Sequence, residues 1–310
     1  MSARVVLATA FGGPEVLELV DREVAPPGPG EVSVDVRAIG VNPVDWKVVA
    51  GNFGRDGSRL PLPVGSELSG VVSAVGQGAG FAVGDEVVAY PVRGAYASAV
   101  TVPAEAVLPK PAGASFEQSA GLLLVGATAA HLVHLADVHE GQTVLVHGVA
   151  GSVGLVAAQL ALRTGAIVVG TAAEHRHDAL RRLGIVPVAY GEGLLERVRA
   201  AAPQGVDVAL DTVGTDEAVD VSLALLPAPA DLVSAAAFAR GGDGIRLVGS
   251  GPGADPGTEY RARARSGLLD LLGRGELTLP VARTYPLAQV REALEFVRDG
   301  HAGGKVVLVP

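Results

Sequence analysis

The sequence predicts an α/β protein in two parts: an antiparallel barrel or sandwich, then a parallel sheet covered by helices. Three observations lead there. Short Val-rich runs broken by Gly/Pro turns fill the first 125 residues, strand-sized and helix-sized segments alternate from about Gly141, and a glycine-spaced turn stands where that alternation begins.

The first part reads as strands at 31–39, 70–75, 85–89 and 96–102, with breaks at 26–30, 61–65 and 76–84. Residues 1–10 carry only Arg4 as a charge, and Glu15 and Glu18 follow soon after. That run is read as a first strand rather than a signal peptide. In the second part, strands are expected at 143–147, 166–171, 186–189, 206–211, 231–235 and 245–249. Helices are expected at 152–163, 177–183, 194–201 and 216–226. Two further helices are expected at 259–274 and 289–300, with a strand at 305–309. Because 281–286 breaks the alternation, that last strand is expected to return to the first part. The predicted domains are 1–125 with 280–310, and 126–279.

Composition narrows the function classes. Apolar residues make up 49% of the chain, enough for a sizeable core. A net charge of −9 gives no electrostatic reason to bind nucleic acid or an anionic membrane. The absence of cysteine excludes disulfides, thiolate catalysis and cysteine-ligated zinc. No apolar run reaches the roughly 18 residues of a membrane span, so a cytoplasmic protein is expected.

The sharpest local signal is the run from Val144 to Gly154, in which Gly148, Gly151 and Gly154 are spaced G-x-x-G-x-x-G between a strand and a helix. Glycines let a backbone approach a pyrophosphate, and a helix N-terminus offers free N–H groups and a positive dipole end. Gly148, Ala150, Gly151, Ser152, Val153 and Gly154 are therefore the candidate phosphate cradle. Ser152 is not a hydrolase nucleophile, because G-x-S-x-G would need glycine where Ala150 stands. An acid about 20 residues beyond the glycines would favour NAD, and Glu174 is near that place. The strand tip itself is Thr171-Ala172-Ala173, however, and Arg176 follows between His175 and His177. A guanidinium there suits a 2′-phosphate, so NADPH is favoured over NADH. The other reading of His175, Arg176 and His177 is a solvated helix start.

With the N-terminal part included, the chain resembles the medium-chain dehydrogenase/reductase superfamily, in its zinc-free quinone oxidoreductase-like and enone reductase branch. The resemblance rests on Asn42-Pro43-Val44-Asp45-Trp46-Lys47, on Gly51-Asn52-Phe53, and on Gly65-Ser66-Glu67 leading to Gly70-Val71-Val72. It continues through Gly84-Asp85-Glu86-Val87, Gly94-Ala95-Tyr96-Ala97, the run from Val206 to Gly214, and Gly303-Gly304-Lys305-Val306-Val307. It implies a GroES-like β-barrel domain joined to a Rossmann domain, completed by the C-terminus, with the active site between the two and a homodimer as the common assembly.

The resemblance also implies roles. Asn42 would contact nicotinamide or substrate, and Lys47 would be a donor near the nicotinamide ribose or a developing oxyanion. Trp46 and Phe53 would line the substrate pocket, although Phe53 replaces the family's tyrosine and loses its hydroxyl. Thr128 would bond the cofactor near the nicotinamide; Thr171, Arg176 and Tyr190 would surround the adenosine ribose and its phosphate; and Lys305 would join the cofactor residues. Against these stand plainer readings. Asn42 and Asp45 could cap a turn, Lys47 could be a surface lysine, Trp46 could be packing and Tyr190 a strand-end residue. Arg261, Arg263 and Arg265 read as a solvated helix face.

Zinc enzymes of the superfamily have Gly-His-Glu where this chain has Gly65-Ser66-Glu67, and serine is a poor zinc ligand. His131 and His134, with His139 nearby, share no helical face with a carboxylate. The expectation is therefore metal-free hydride transfer to an activated C=C bond (enone or enal) or a quinone, with a small electrophilic carbonyl or quinone as substrate. The alternative is an NADPH-binding protein of the same fold without redox turnover, a sensor or a non-redox cyclase. Pocket residues are expected from loops 52–60 and 236–243.

Overall fold

The computed structural model describes residues 2–300 and 303–310, so Met1 of the predicted first strand lies outside the described residues. In chain order, β1 (Ser2–Ala8), β2 (Leu17–Glu23) and β3 (Glu31–Val41) lead to α1 (Pro43–Val49). Next come β4 (Leu62–Pro63), β5 (Leu68–Val75), β6 (Glu86–Ala89), β7 (Ala99–Pro103) and β8 (Val107–Pro109), then α2 (Phe116–Ala120) and α3 (Leu123–Leu135). The alternating part runs β9 (Thr143–His147), α4 (Ser152–Arg163), β10 (Ile167–Thr171), α5 (His177–Arg182), β11 (Val186–Val188), α6 (Leu194–Ala201), β12 (Val208–Asp211), α7 (Asp216–Leu225), β13 (Leu232–Ser234) and β14 (Arg246–Leu247). The chain closes with α8 (Thr258–Gly273), β15 (Val281–Pro286), α9 (Val290–Arg298) and β16 (Lys305–Val309).

The chain divides into a first unit, 1–124 with 268–310, and a second, 125–267. In the first unit, β3 is the hub: it pairs antiparallel with β5, β7 and β16. Its Val32, Val34, Val36 and Ile39 pack with Leu68, Val72, Val87, Tyr96, Leu294, Val306 and Leu308. Gly70 makes the close approach of β5 to β3 possible, because a Cβ there would lie 2.3 Å from the Asp35 carbonyl. The last strand does return, pairing Val306 with Val41. Residues 268–279, expected in the second domain, group with the first unit instead. Leu268, Leu269 and Leu272 of α8 are buried, and Gly113 sits so close that a Cβ would lie 2.3 Å from the Gly273 carbonyl.

The second unit holds a six-stranded sheet in the order β11-β10-β9-β12-β13-β14, parallel throughout. β9 and β12 are buried at every position, as strands covered on both faces must be. The chain order reverses between β9 and β12, and at such a switch point the carboxyl ends of the strands open a crevice. Among the described residues no helix is long and apolar enough to cross a membrane.

Candidate functional site

The glycine turn lies at that switch point. Gly148 follows β9 with φ +73°, and a Cβ there would meet Val213 Cγ1 at 2.5 Å. Gly151 is the N-cap of α4 and has no side-chain cap. The first N–H groups of the helix, on Ser152, Val153 and Gly154, therefore have no intrahelical acceptor. A Cβ on Gly154 would lie 2.3 Å from the Gly148 carbonyl, so the helix can approach the strand end only because Gly154 lacks one. Free donors, a positive helix end and no side chains in the way fit a diphosphate.

A buried chain of side chains holds this turn. His147 Nε2 lies 3.0 Å from Ser222 Oγ, whose hydroxyl donates to the Ala218 carbonyl. The hydroxyl proton being used, the imidazole donates from Nε2, and Nδ1 accepts from Thr171 Oγ1 at 3.5 Å. Thr171 Oγ1 in turn accepts the Gly148 N–H at 3.1 Å. Desolvation pushes the His147 pKa down to about 4, against the pull of Asp211 and Glu217. Thr171 was expected beside a ribose. It is buried, and its hydroxyl works inside the unit to fix the Gly148 peptide.

On the β10 and β11 side, Arg176 is half-buried in the single turn Glu174–Arg176, and Tyr190 is 55% exposed beyond β11. The loop carrying Tyr190 is held by Arg197, which donates to the carbonyls of Ala189, Glu192 and Gly191 at 2.8, 2.7 and 2.8 Å. Glu217 accepts the Gly191 N–H. Arg197 was not anticipated; the glycines at 191 and 193, both at positive φ, were the available signal for a loop needing such an anchor. Thr128 lies half-buried on α3.

Asp211, fully buried at the tip of β12, was also missed. Its Oδ1 accepts the N–H groups of Val213 and Gly214, and its Oδ2 accepts the Ser234 hydroxyl at 2.5 Å. Ser234 Oγ then accepts the N–H groups of Ala236 and Ala237. One carboxylate thus shapes the loops that follow two strands.

In the first unit the predicted residues gather around a buried ion pair. Lys305 Nζ lies 2.8 Å from Glu67 Oε1 and donates to Asn42 Oδ1 at 2.6 Å. Asn42 Nδ2 donates to Glu67 Oε1 at 2.8 Å, and Glu67 Oε2 accepts the Leu124 N–H. Gly121 leaves room for the lysine stem, and Gly40 for the carboxylate. Both ends of the Asn42 amide and the Lys305 ammonium are thus engaged inside the unit. Their geometry is that of supports for α1 and the start of α3, where sequence reasoning had put direct contacts with cofactor or substrate.

Asp45 stands at the third position of α1. Its Oδ2 accepts the Asn42 N–H and the Tyr96 hydroxyl, at 2.8 and 2.9 Å. Burial raises its pKa to about 7 against those donors and Lys305, and burial with the Asp45 charge pushes the Tyr96 phenol up. Lys47, half-buried on α1, places its ammonium 5.7 Å from the Trp46 ring centroid. Trp46 itself turns into a cavity beside α9, while Phe53 is 54% exposed and does not line that cavity. The two expected pocket residues are therefore not brought together there.

His131 and His134 behave as structural groups. Arg261 Nε donates to His131 Nδ1 at 3.2 Å, Asp255 Oδ2 lies 3.7 Å from Nε2, and His134 stacks on Tyr260 at 4.0 Å. Desolvation and Arg261 lower the His131 pKa. Arg261 is thus not part of a solvated face, because it reaches a buried imidazole. Among the described residues no cluster of three His, Asp or Glu could hold a metal.

Two units of this kind, a sheet of short strands that takes in the C-terminal strand beside β3 and a doubly wound sheet with a phosphate-type turn at its switch point, define a class of nucleotide-dependent dehydrogenases. Residues 28–112 match the family model for the alcohol dehydrogenase GroES-like domain, and residues 186–308 that for the zinc-binding dehydrogenase. A Pseudomonas aeruginosa quinone oxidoreductase is 32% identical over 333 aligned positions, covering 100% of both chains. The mouse synaptic vesicle membrane protein VAT-1 homolog is 36% identical over 223 residues, 68% of this chain and 53% of that protein. The chain spans about half the length of it and of its human counterpart. The Escherichia coli quinone oxidoreductase complexed with NADPH superposes with a TM-score of 0.85 at 28% identity, covering 99% of this chain and 100% of that one. The chain belongs to the medium-chain dehydrogenase/reductase superfamily, in its quinone oxidoreductase-like branch.

Proposed function

We propose that this chain is an NADPH-dependent oxidoreductase that reduces small electrophilic acceptors, quinones or the activated C=C of enones and enals, without a metal. The observation that carries the reading is the turn at Gly148–Gly154, with its uncapped helix start, together with a β10 tip, Thr171-Ala172-Ala173, that carries no acid and a following turn in which Arg176 accompanies Glu174. The solved relative that holds NADPH supports the choice of nucleotide.

Ser152, Val153 and Gly154 would hold the diphosphate through their N–H groups. Arg176 and Tyr190 would take the adenosine ribose and its 2′-phosphate, and Thr128 the nicotinamide end. The bound nicotinamide would supply hydride. The chain's own task is to place the acceptor and stabilise charge where it develops. Lys47 is the donor assigned to the acceptor oxygen, on which negative charge grows as hydride reaches the β-carbon or the quinone ring. Asn42, Glu67 and Lys305 hold the turn into α1 so that Lys47 is presented in one geometry.

Donor chemistry supports the metal-independent reading. Ser66 stands where the zinc enzymes have histidine, its neighbour Glu67 is already engaged by Lys305 and Asn42, and there is no cysteine. That set does not fit zinc, although residues 186–308 match the zinc-binding dehydrogenase family. We further assign a cytoplasmic homodimer.

The test is the loss of nicotinamide absorbance with a panel of quinones, enones and enals, under NADPH and NADH, before and after chelation. Turnover with at least one acceptor, unaffected by chelator, is expected. Tight NADPH binding with no turnover on any acceptor would favour the non-redox alternative, and Phe53, lacking the family's hydroxyl, is the observation that keeps that alternative in view.

A further inference from the structure

The first unit contains a cavity of about 330 Å³ between α1, α9 and the turn before β2. Its walls are Gly12, Gly13, Pro14, Trp46, Val49, Ala50 and Leu294, and its charged groups are Arg55 and Arg298. Trp46, Val49 and Ala50 are spaced i, i+3, i+4 and so present one face of the α1 segment. Of the two residues expected in the substrate pocket only Trp46 lines the cavity, and Lys47, the donor assigned to the acceptor oxygen, does not, so the acceptor site as proposed leaves this cavity without a role.

The charges around it are unequal. Arg55 spends one donor on the Ala50 carbonyl at 3.0 Å, and a guanidinium has five. Arg298 lies 3.9 Å from Asp299, an exposed and long pair, and Arg291 donates to the Leu17 carbonyl nearby. The facing carboxylate is Glu15, which accepts the Gly13 N–H at 2.9 Å and feels both Arg298 and Arg291. The two charged side chains that line the cavity itself, Arg55 and Arg298, are both guanidinium groups. A largely apolar cavity of this size, lined also by two arginines, is at the small end of the ligand-pocket range of roughly 300–1,000 Å³.

We propose that this cavity binds a small amphipathic monocarboxylate, such as a medium-chain fatty acid, its chain against Trp46, Val49 and Leu294 and its carboxylate on Arg55 and Arg298. The site takes a ligand and not a reactant, and it needs no nucleotide.

Trp46 is the one tryptophan in the chain and so reports on the cavity directly. The experiment titrates the full chain, without nucleotide, with octanoate, octanol and octylamine, following Trp46 emission and, in parallel, heat by calorimetry. A saturable change with octanoate is expected, at least tenfold weaker with octanol and absent with octylamine. Arg298→Ala and Arg55→Ala should each weaken octanoate about tenfold, the scale of one charged hydrogen bond, with an unchanged melting temperature. Ala50→Phe should fill the chamber and abolish binding. Octanol binding as tightly as octanoate, arginine variants binding like the parent, or no saturable signal in either readout would each overturn the proposal. None of these results bears on NADPH turnover.

Discussion

The ammonium of Lys305 lies 2.8 Å from the carboxylate of Glu67, 238 positions away in the chain, and both side chains are at most 2% exposed. This contact ties the C-terminal strand to the loop before β5, and through Asn42 to α1. Removing one partner leaves a buried charge uncompensated, which costs about 3–5 kcal/mol. Lys305→Met should lower chemical unfolding stability by that amount, and Lys305→Met with Glu67→Gln should recover much of it. A single variant as stable as the parent would show that the pair contributes nothing.

His147 makes stability depend on pH. Its folded pKa is about 4 against an ordinary 6.5, so the unfolded chain binds the proton more tightly. Stability is fully present above pH 6.5 and is lost as pH falls toward 4, by up to about 3 kcal/mol. His147→Gln should flatten that slope in urea unfolding series between pH 7 and 4.5. Equal slopes for parent and variant would remove the assignment.

Asp45 predicts the opposite sign. Its folded pKa of about 7 lies above the ordinary 3.8, so the folded chain holds the proton more tightly and loses stability as pH rises between those values. Asp45→Asn keeps an oxygen for the Asn42 N–H and the Tyr96 hydroxyl but has no charge to bury. Relative to the parent it should gain up to about 4 kcal/mol between pH 4 and 8. A pH-independent difference would argue against the raised pKa.

The glycine turn yields a graded test. A Cβ on Gly154 would stand 2.3 Å from the Gly148 carbonyl, while one on Gly151 would stand 3.2 Å from it. Gly154→Ala should weaken NADPH binding more than tenfold, and Gly151→Ala distinctly less, by calorimetric titration. Unchanged NADPH affinity in both variants would mean that the turn does not hold the nucleotide.

Arg176→Ala should raise the apparent NADPH constant and leave NADH nearly unchanged, because only the phosphorylated ribose carries the charge a guanidinium reads. Steady-state kinetics with both nucleotides decides it, and an equal loss for both would remove the role.

Much of this was legible in the sequence because strand and helix periods leave local marks. The run from Thr143 to Gly154 showed a buried strand, a turn and a helix start without reference to anything distant, and β16 was recognisable from the broken alternation before it. Partnership across the chain left no such mark. Nothing near Lys305 points to Glu67, and nothing near Arg197 points to the carbonyls around Gly191. Thr171 looked available because it ends a strand, yet its hydroxyl is taken by a glycine 23 positions earlier. The side of α1 on which Trp46 sits depends on α9, some 250 residues on, which no local period encodes.

The paired oxygens of Asp211 separate two properties that loops usually trade against each other. Main-chain paths after β12 and β13 are pinned from beneath by internal acceptors, while the side chains they carry lie against glycines, Val213 beside Gly148 and Ala236 beside Gly214. A bulkier residue at either place would press on a glycine while the carboxylate beneath keeps the main chain where it is.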